Sequence, residues 1–415
     1  MADANDVPQI RFKGFTDPWE QRKLGDCFEF LKNNTLSRAD LNGDNGTTRN
    51  VHYGDILIKF GDCLDGERND LPFIADDTVL PKFAGSILRE GDVIFADTAE
   101  DEAAGKCVEL RKLPKEPTIS GLHTIPARPR FPFGTGYLGH YLNSDAYHRQ
   151  LLPLMQGIKV ISVSKAALQD TQVRFPGLSE QTAIGSALSE IDSLITLHQR
   201  KCDKLSVVKK ALLEKMFPKE GEVVPEIRFK GFTDPWEQRK LGELCEVNPT
   251  TVLPGSFEYV DLESVVGTDM VSHRREEKLT APSRAQRLAS FGDIFYQTVR
   301  PYQKNNYFYE LPDKDYVFST GYAQLRPLCD GRFLFSSLQR EQFVSCVLEH
   351  CTGTSYPAIN TNDLAALPLA VPSDIEEQRL VGSILKPIDA LITLHQRELE
   401  TLKNVKKALL EKMFV

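Results

Sequence analysis

The side chains with the clearest chemistry lie in one short polar stretch of the second half of the chain. Thr298 to Tyr307 reads TVRPYQKNNY and combines cations, carboxamides and aromatic rings. Cations attract phosphates, carboxamides hydrogen-bond as both donors and acceptors, and rings stack. The stretch follows a predicted strand, and this chemistry is typical of binding rather than of bond breaking. A solvated polar turn is the alternative interpretation.

Motifs for catalysis or metal binding give little support to an enzyme. Gly134 to Gly139 fits the GxGxxG pattern, but it follows a proline-rich stretch rather than a strand, so we interpret it as a loop. The eight histidines form no HxH or HExxH motif, and the eight cysteines form no CxxC pair. We predict that His198 and His395 are packed polar residues and that the chain holds no metal and uses reduced thiols.

Composition narrows the class of protein. The net charge of −8 argues against a simple non-specific nucleic-acid binder, which is normally basic. No window approaches about 18 uncharged apolar residues, and the first ten residues are polar, which predicts a cytoplasmic protein without a membrane span. At 415 residues the chain is long enough for at least two domains.

These residues are carried by a chain that repeats itself. Arg11–Gly25 and Arg228–Gly242 are identical, and each contains one of the two tryptophans, which we predict to anchor the start of a domain. The sequence VKKALLEKMF closes 208–217 and again 405–414. The repeat spacing falls from 217 at the first segment to 201 between Gly91 and Gly292, so the second copy is shorter by 16 residues.

Two long helices are predicted from the most similar stretches, because apolar residues recur there at coiled-coil spacing. Pro387 stands in the second helix where Glu190 stands in the first, which predicts a kink or a restart. The residues predicted to form the apolar seam are Ile191, Leu194, His198, Leu205, Leu212, Ile388, Leu391, His395, Leu402 and Leu409.

This order of segments, given twice, resembles the DNA-specificity subunit of type I restriction–modification enzymes. The resemblance covers essentially the whole chain. It implies an α+β fold in which two similar mixed α/β target-recognition domains are separated by two long antiparallel spacer helices, related by a pseudo-twofold repeat. The implied boundaries are domain 1 at 1–178 with the repeated segment 8–25, helix 1 at 179–217, a linker at 218–224, domain 2 at 225–372 with the repeated segment 225–242, and helix 2 at 373–415.

The resemblance further implies a non-catalytic subunit that reads a bipartite site in double-stranded DNA. Its helices would dock two methyltransferase subunits and, through them, the restriction subunits. S-adenosylmethionine, ATP and Mg²⁺ would then belong to those partners, and no cofactor to this chain. Two other interpretations stay open from the residues alone: a stand-alone DNA methyltransferase or nuclease, and a protein-binding scaffold.

Local charge indicates where DNA would bind. Residues 40–109 hold 16 acids and 6 bases, whereas residues 110–178 hold 3 acids and 9 bases. In the second domain the basic residues concentrate at 274–304. Because cations on phosphates supply affinity and polar side chains at base edges supply specificity, the predicted DNA contacts are Arg128, Arg130, Lys159, Lys165, Arg274, Arg275, Arg284, Arg287, Thr298, Arg300, Tyr302, Lys304, Asn305, Ser355 and Tyr356.

Overall fold

The contacts of the chain divide it into two units. The structure is a computed structural model and describes residues 7–67, 71–312, 315–353 and 355–415. Met1–Leu197 and Leu399–Val415 form the first unit, and His198–Glu398 forms the second. Each unit therefore holds one globular domain, the first part of one long helix and the last part of the other. Among the described residues, no helix is long and apolar enough to cross a membrane.

The first unit is built on two small sheets. One has the strand order Phe28–Phe30, Thr124–Pro129, Val93–Ala96, Cys107–Lys112 and Cys63–Asp65. The other has the order Thr118–Ser120, Arg49–Val51, Phe73–Ile74 and Leu41–Asn42. Two strand pairs join Glu20–Lys23 to Gln172–Phe175 and Thr98–Ala99 to Ile161–Ser162. The short α-helices are Leu24–Cys27, Tyr53–Ile58, Tyr137–Leu142, Asp145–His148 and Lys165–Asp170, with 3₁₀ helices at Arg38–Asp40, Asp77–Ser86 and Leu152–Leu154.

The second unit repeats this plan. Its first sheet has the order Cys245–Val247, Tyr322–Pro327, Ile294–Gln297 and Tyr307–Phe308. Its second sheet has the order Arg274–Glu277, Ser256–Val260, Tyr316–Ser319 and Ala285–Leu288. The strand pairs are Glu237–Lys240 with Pro368–Val371 and Val265–Val266 with Asp269–Met270. The short α-helices are Leu241–Leu244, Gly331–Leu338, Glu341–Glu349 and Thr361–Ala366, with a 3₁₀ helix at Pro301–Gln303.

The central strands have the same register in both units. Val93 lies opposite Ala127 in the first unit, and Ile294 lies opposite Leu325 in the second. The first unit's sheet has five strands and the second unit's has four. The extra strand, Cys63–Asp65, falls in the stretch where the first copy is longer. The change of spacing in the sequence thus corresponds to an added strand rather than to a different fold.

A Gly-Asp turn precedes each central strand and explains why that dipeptide is repeated. Gly91 and Gly292 have φ values of +84° and +90°, a conformation that favours glycine. The following aspartate accepts two hydrogen bonds from one arginine: Asp92 accepts from Arg128, and Asp293 accepts from Arg326. Both aspartates are buried, so the arginine neutralises a charge that would otherwise be costly inside the unit.

The identical N-terminal segments close each unit against a long helix. Arg228 donates through Nε and Nη2 to Glu377 at 2.7 and 2.9 Å, and the Trp236 indole donates to the same carboxylate at 3.2 Å. In the first unit, Arg11 donates to Glu180 at 2.7 Å through both groups. Trp236 is only 2% exposed, which confirms its anchoring role in the second unit.

The repeated MetPhe ends of the long helices are buried in the cores. The helices run from Leu178 to Lys215 and from Ile375 to Met413. Phe217 packs against Trp236 and Phe333 in the second unit, with ring centroids 5.7 and 5.5 Å apart. Phe414 packs against Tyr137 and Tyr141 in the first unit, at 5.8 and 5.5 Å. Each helix end is therefore part of a domain core.

The helices pair in antiparallel fashion within the second unit. His198 contacts His395, and the Lys209 ammonium lies 2.6 Å from Asp389. Eight of the ten predicted seam residues are partly buried, as their spacing requires. Leu194 and Leu391 differ, because they are 43% and 42% exposed, and Cys202 and Leu399 take buried positions instead. A straight helix drifts by about 20° per heptad, which moves a strict seven-residue stripe off the contact.

Pro387 does not restart the second long helix, so the predicted restart is wrong, whereas the kink stays a prediction. The helix is continuous from Ile375 to Met413 with Pro387 inside it. The proline ring lacks one N–H donor, which frees one carbonyl of the preceding turn. Pro387 is exposed, so water can hydrogen-bond that carbonyl.

Four charged or ionisable side chains form a partly buried network in the first unit. His140 is fully buried; its Nδ1 faces the Gly136 carbonyl and its Nε2 lies 2.9 Å from Asp192. The Lys406 ammonium lies 2.7 Å from Asp62 and 2.5 Å from Asp192. Burial raises the pKa of Asp192, but the hydrogen bond from His140 and the charge of Lys406 outweigh it, so the pKa is lowered overall. The network joins both long helices to the first domain.

Replacing Lys406 with methionine should destabilise the first unit at neutral pH by about 3–5 kcal/mol, because two carboxylates lose their shared cation. A carboxyl with a lowered folded pKa contributes stability above its unfolded value of about 3.9, and that contribution is lost as pH falls through the folded pKa. The deficit of K406M relative to wild type should therefore shrink in acid. Urea unfolding at pH 7 and pH 3 measures it, with the exposed Lys403→Met as control. Equal stability of the two variants at pH 7 would contradict the assigned role.

Candidate nucleic-acid interface

The polar stretch 298–307 forms an ordered loop at the end of strand Ile294–Gln297. Thr298 is 7% exposed, and its hydroxyl donates to the Gly321 carbonyl at 2.8 Å. Arg300 and Lys304 flank the Pro301–Gln303 turn, and both have φ of +54°. This left-handed conformation is unfavourable for side chains larger than glycine, and such strain concentrates at binding sites. The hydrogen bond from Thr298 to Gly321 holds the start of this loop in place.

The structure brings two separately predicted loops together. Val299 forms a β-bridge with Ala358, which joins the stretch 298–307 to the stretch that contains Ser355 and Tyr356. The Arg300 guanidinium lies over the Tyr356 ring, 4.2 Å from its centroid. Tyr356 is 64% exposed, so this stacked pair is open to solvent.

Tyr302 and Ser355 complete the exposed part of this surface. Tyr302 is 49% exposed at the turn, and Ser355 is exposed beside Tyr356. The neighbouring Gln303 is also exposed and accepts from Gln297 at 2.8 Å. Gln303 was not among the predicted contacts, although its place in the same polar stretch was a usable signal. We name Arg300, Tyr302, Gln303, Ser355 and Tyr356 the recognition patch of the second unit.

Lys304 and Asn305 have structural partners. The Lys304 ammonium lies 2.7 Å from Glu341 and donates to the Gln339 carbonyl at 3.2 Å. The Asn305 side chain accepts from the Gly267 amide at 2.8 Å. Both groups are therefore already engaged in holding the loop against its neighbours.

The arginines of strand Arg274–Glu277 lie among carboxylates. Arg274 lies 2.6 Å from Asp261 and 2.8 Å from Glu276, and it stacks on Tyr259. Arg275 donates to Glu258 at 3.3 Å. Their charge is largely neutralised locally, although both side chains are exposed. A phosphate would have to compete with these partners.

Arg284 and Arg287 differ in exposure. Arg284 is exposed, and its carbonyl accepts from Thr320, the residue before the glycine that binds Thr298. It therefore lies beside the base of the loop. Arg287 is half-buried, and its Nε has no hydrogen-bond partner among the described residues. Burial lowers the pKa of the Arg287 guanidinium.

The equivalent loop of the first unit has the opposite charge. Thr98–Ala99 pairs with Ile161–Ser162, which corresponds to the bridge of Val299 with Ala358. The residues that follow, Glu100, Asp101 and Glu102, are exposed acids. They belong to the acidic stretch 40–109, in which no DNA contact was predicted. Its position becomes apparent only when the two units are compared strand by strand.

The loop before strand Ile161–Ser162 in the first unit carries Lys159 at an exposed position. Ile158 beside it is 99% exposed, which is unusual for a large aliphatic side chain and was not predicted. Lys165 is exposed as well, and its ammonium lies 5.1 Å from the centre of the Phe30 ring. Lys159 shares a loop with the paired strand 161–162, whereas Lys165 begins the next helix.

Arg128 and Arg130 lie at a groove of about 490 Å³ that Arg89 and Arg111 also line. Arg128 is bound to Asp92 and to the Ile87 carbonyl, so its main contacts are structural. Arg130 is exposed at the end of its strand. Arg130 is thus the more accessible of the two predicted cations.

The glycine-rich stretch 134–139 is a structural turn. The Gly136 and Gly139 amides donate to the buried Glu109 carboxylate at 2.6 and 2.9 Å, and the Gly134 amide donates to Gln181. A Cβ at Gly139 would lie 2.2 Å from the Asp62 carbonyl oxygen. These amides would hold a phosphate in a nucleotide site, but here they hold a side chain of the protein.

Comparison with known proteins shows what this chain is similar to. Residues 233–404 match the family model described as the type I restriction modification DNA specificity domain. The chain is 24% identical to the protein described as the type I restriction enzyme MjaX specificity subunit of Methanocaldococcus jannaschii, over 95% of this chain and 92% of that one. The MjaVIII specificity subunit of the same organism is 23% identical over 61% of this chain and 64% of its own length.

The fold is shared with a solved structure. The S subunit of the type I restriction-modification system from M. genitalium covers 99% of each chain with a TM-score of 0.64 and 15% identity. The resemblance to type I specificity subunits and the predicted fold class are thereby confirmed. No comparison tests the individual DNA contacts, which stay predictions.

Proposed function

We propose that this chain is the DNA-recognition subunit of a type I restriction–modification complex and that each unit reads one half of a bipartite sequence. The similarity to named specificity subunits supports the class. The two-unit architecture supports two half-sites, because two readers on one chain bind two sequences.

One observation carries this proposal: the same place in the same fold holds opposite chemistry in the two units. In the second unit the patch presents Arg300 stacked on Tyr356. In the first unit the equivalent loop presents Glu100 to Glu102. A repeated domain with an unchanged frame and changed loops is expected where two different ligands are bound.

Base chemistry gives each loop a role. Arginine hydrogen-bonds to the O6 and N7 atoms of guanine, and carboxamides pair with adenine. Carboxylates accept from the amino group of cytosine, so an acidic loop can read bases provided that cations nearby hold the phosphates. Lys159 and Arg130 are exposed cations of the first unit that can do so.

Catalysis belongs to partners in this proposal. The long helices dock two methyltransferase subunits, which bring S-adenosylmethionine, and restriction subunits join through them with ATP and Mg²⁺. The support is the resemblance to the family together with a glycine-rich turn whose amides are occupied by Glu109 and Gln181. A complex of this kind also explains how a chain of net charge −8 binds DNA, because partner subunits add positive charge.

Selection from a pool of random duplexes tests the proposal. The chain in complex with its methyltransferase subunits should enrich one sequence made of two short defined parts and an undefined gap. Enrichment of no sequence would favour a protein-binding scaffold. Methyl transfer by the purified chain alone would favour a stand-alone methyltransferase.

A further inference from the structure

Three potential metal ligands meet where the two long helices contact each other in the second unit. His198 Nδ1 lies 3.2 Å from His395 Nδ1. Glu398 Oε2 lies 2.9 Å from the first nitrogen and 3.2 Å from the second. The two imidazoles are largely buried, at 14% and 13% exposure, and the carboxylate is 44% exposed.

The triangle of donor atoms matches one face of a tetrahedral metal site. Zinc binds histidine nitrogen and carboxylate oxygen at about 2.0–2.2 Å, which separates two ligand atoms of a tetrahedron by about 3.3–3.6 Å. The three observed separations lie within a few tenths of an ångström of that range. Small side-chain rotations would therefore complete the geometry.

The donor atoms of these three side chains suit a cation. Two imidazole nitrogens and one carboxylate oxygen face one another, and with the proton of each imidazole on Nε2 three lone pairs are directed at one centre. Protons on Nδ1 would join these atoms only in pairs. A divalent cation satisfies all of them, and neutral imidazole with carboxylate is a preferred ligand set for borderline metals.

A second cluster of potential metal ligands already contains a positive charge. Asp62, His140 and Asp192 also bring their ligand atoms close together in the first unit. There the Lys406 ammonium bonds both carboxylates and takes the position of a cation. In the described part of the structure, no lysine ammonium is hydrogen-bonded to the histidine cluster of the second unit.

We propose that His198, His395 and Glu398 bind one divalent transition-metal ion of the Zn²⁺ type. The three residues supply three ligands, and the exposed side of Glu398 leaves the fourth position to water. The ion would cross-link the two long helices within the second unit. This site does not depend on the proposed DNA-binding function.

The repeat supplies a matched control. His198 and His395 are equivalent residues of the two LITLHQR segments, but the residue equivalent to Glu398 is Lys201. The carboxylate therefore occurs once, and one ion per chain is expected. Lys201 is exposed and is not a ligand.

The test uses the full chain after a chelator has removed any metal. Calorimetry measures the binding of Zn²⁺, and visible absorption measures the binding of Co²⁺ in a tetrahedral site. One ion should bind per chain, because the carboxylate ligand occurs once. His198→Asn, His395→Asn and Glu398→Gln should each weaken binding at least about tenfold. Lys201→Gln should bind like the wild type.

Circular dichroism of each metal-free variant establishes that its helices are formed, so that lost binding reports lost ligands. Absence of saturable binding to the wild type would overturn the proposal. It would also be overturned if the double variant H198N/H395N bound Zn²⁺ as tightly as the wild type, because the ligands would then be elsewhere, for example among the cysteines.

Discussion

Replacing Arg228 with alanine should destabilise the second unit by about 3–5 kcal/mol, because Glu377 would remain as a buried charge without its cation. The Arg228 and Glu377 side chains are 11% and 2% exposed. The Trp236 indole would be the carboxylate's remaining side-chain donor. We expect the additional exchange Glu377→Gln to recover part of the loss, because an amide can be buried at lower cost than a charge.

The two tryptophans allow each unit to be followed separately. Trp19 lies in the first unit and Trp236 in the second, and they are the only tryptophans of the chain. In a Trp19→Phe background, fluorescence during urea unfolding reports the second unit, where R228A should lower the midpoint. In that background, the matched change Arg11→Ala in the first unit should leave this midpoint nearly unchanged. If R228A and R11A lowered this midpoint equally, the separate roles of the Arg228–Glu377 and Arg11–Glu180 pairs would be refuted.

Replacing Arg300 with alanine should weaken binding of the target duplex by about 5- to 150-fold, since one good bidentate base contact is worth about 1–3 kcal/mol. The loss should fall on one half-site only, because Arg300 belongs to the recognition patch of the second unit. Binding of the methyltransferase complex to duplexes altered in either half measures this. Non-specific duplex should be bound almost as before.

Lys240→Ala is the charge-matched control for Arg300→Ala. Lys240 is an exposed cation on strand Glu237–Lys240, which pairs with Pro368–Val371. Removal of the Lys240 side chain should leave the sequence preference at both half-sites unchanged. If R300A weakened binding equally on every sequence, Arg300 would be a phosphate contact. If R300A changed nothing while a bipartite sequence was still selected, the recognition patch would be misplaced although the proposed function stood.

The sequence was informative where a repeat or a periodic pattern of residues follows from the structure. The two copies predicted two like domains, the apolar spacing predicted the long helices, and the tryptophan segments marked where each domain begins. These features depend on local propensity and on residues that are close in sequence. The loop at 298–307 was found because its cations, amides and rings are contiguous.

Features that depend on distant contacts were not predictable in the same way. Arg128 and Arg326 are of the residue type that binds phosphate. Only the fold shows that each is already paired with a carboxylate, Asp92 and Asp293 respectively. Glu398 gave no signal as a ligand, because its partner His198 comes from the other helix, 200 residues earlier. Leu194 satisfies the heptad spacing and is nevertheless exposed, since a straight helix does not keep that spacing.

The burial of Phe414 has a consequence for the order in which the protein matures during synthesis. The second unit is one continuous segment, His198–Glu398, so all of its residues leave the ribosome together. The first unit begins the chain but takes Met413 and Phe414 into its core. Its core is therefore completed only after the whole second unit has been made, and domains generally fold as soon as their residues are available. The part of the molecule that is synthesised first is thus the part that is finished last.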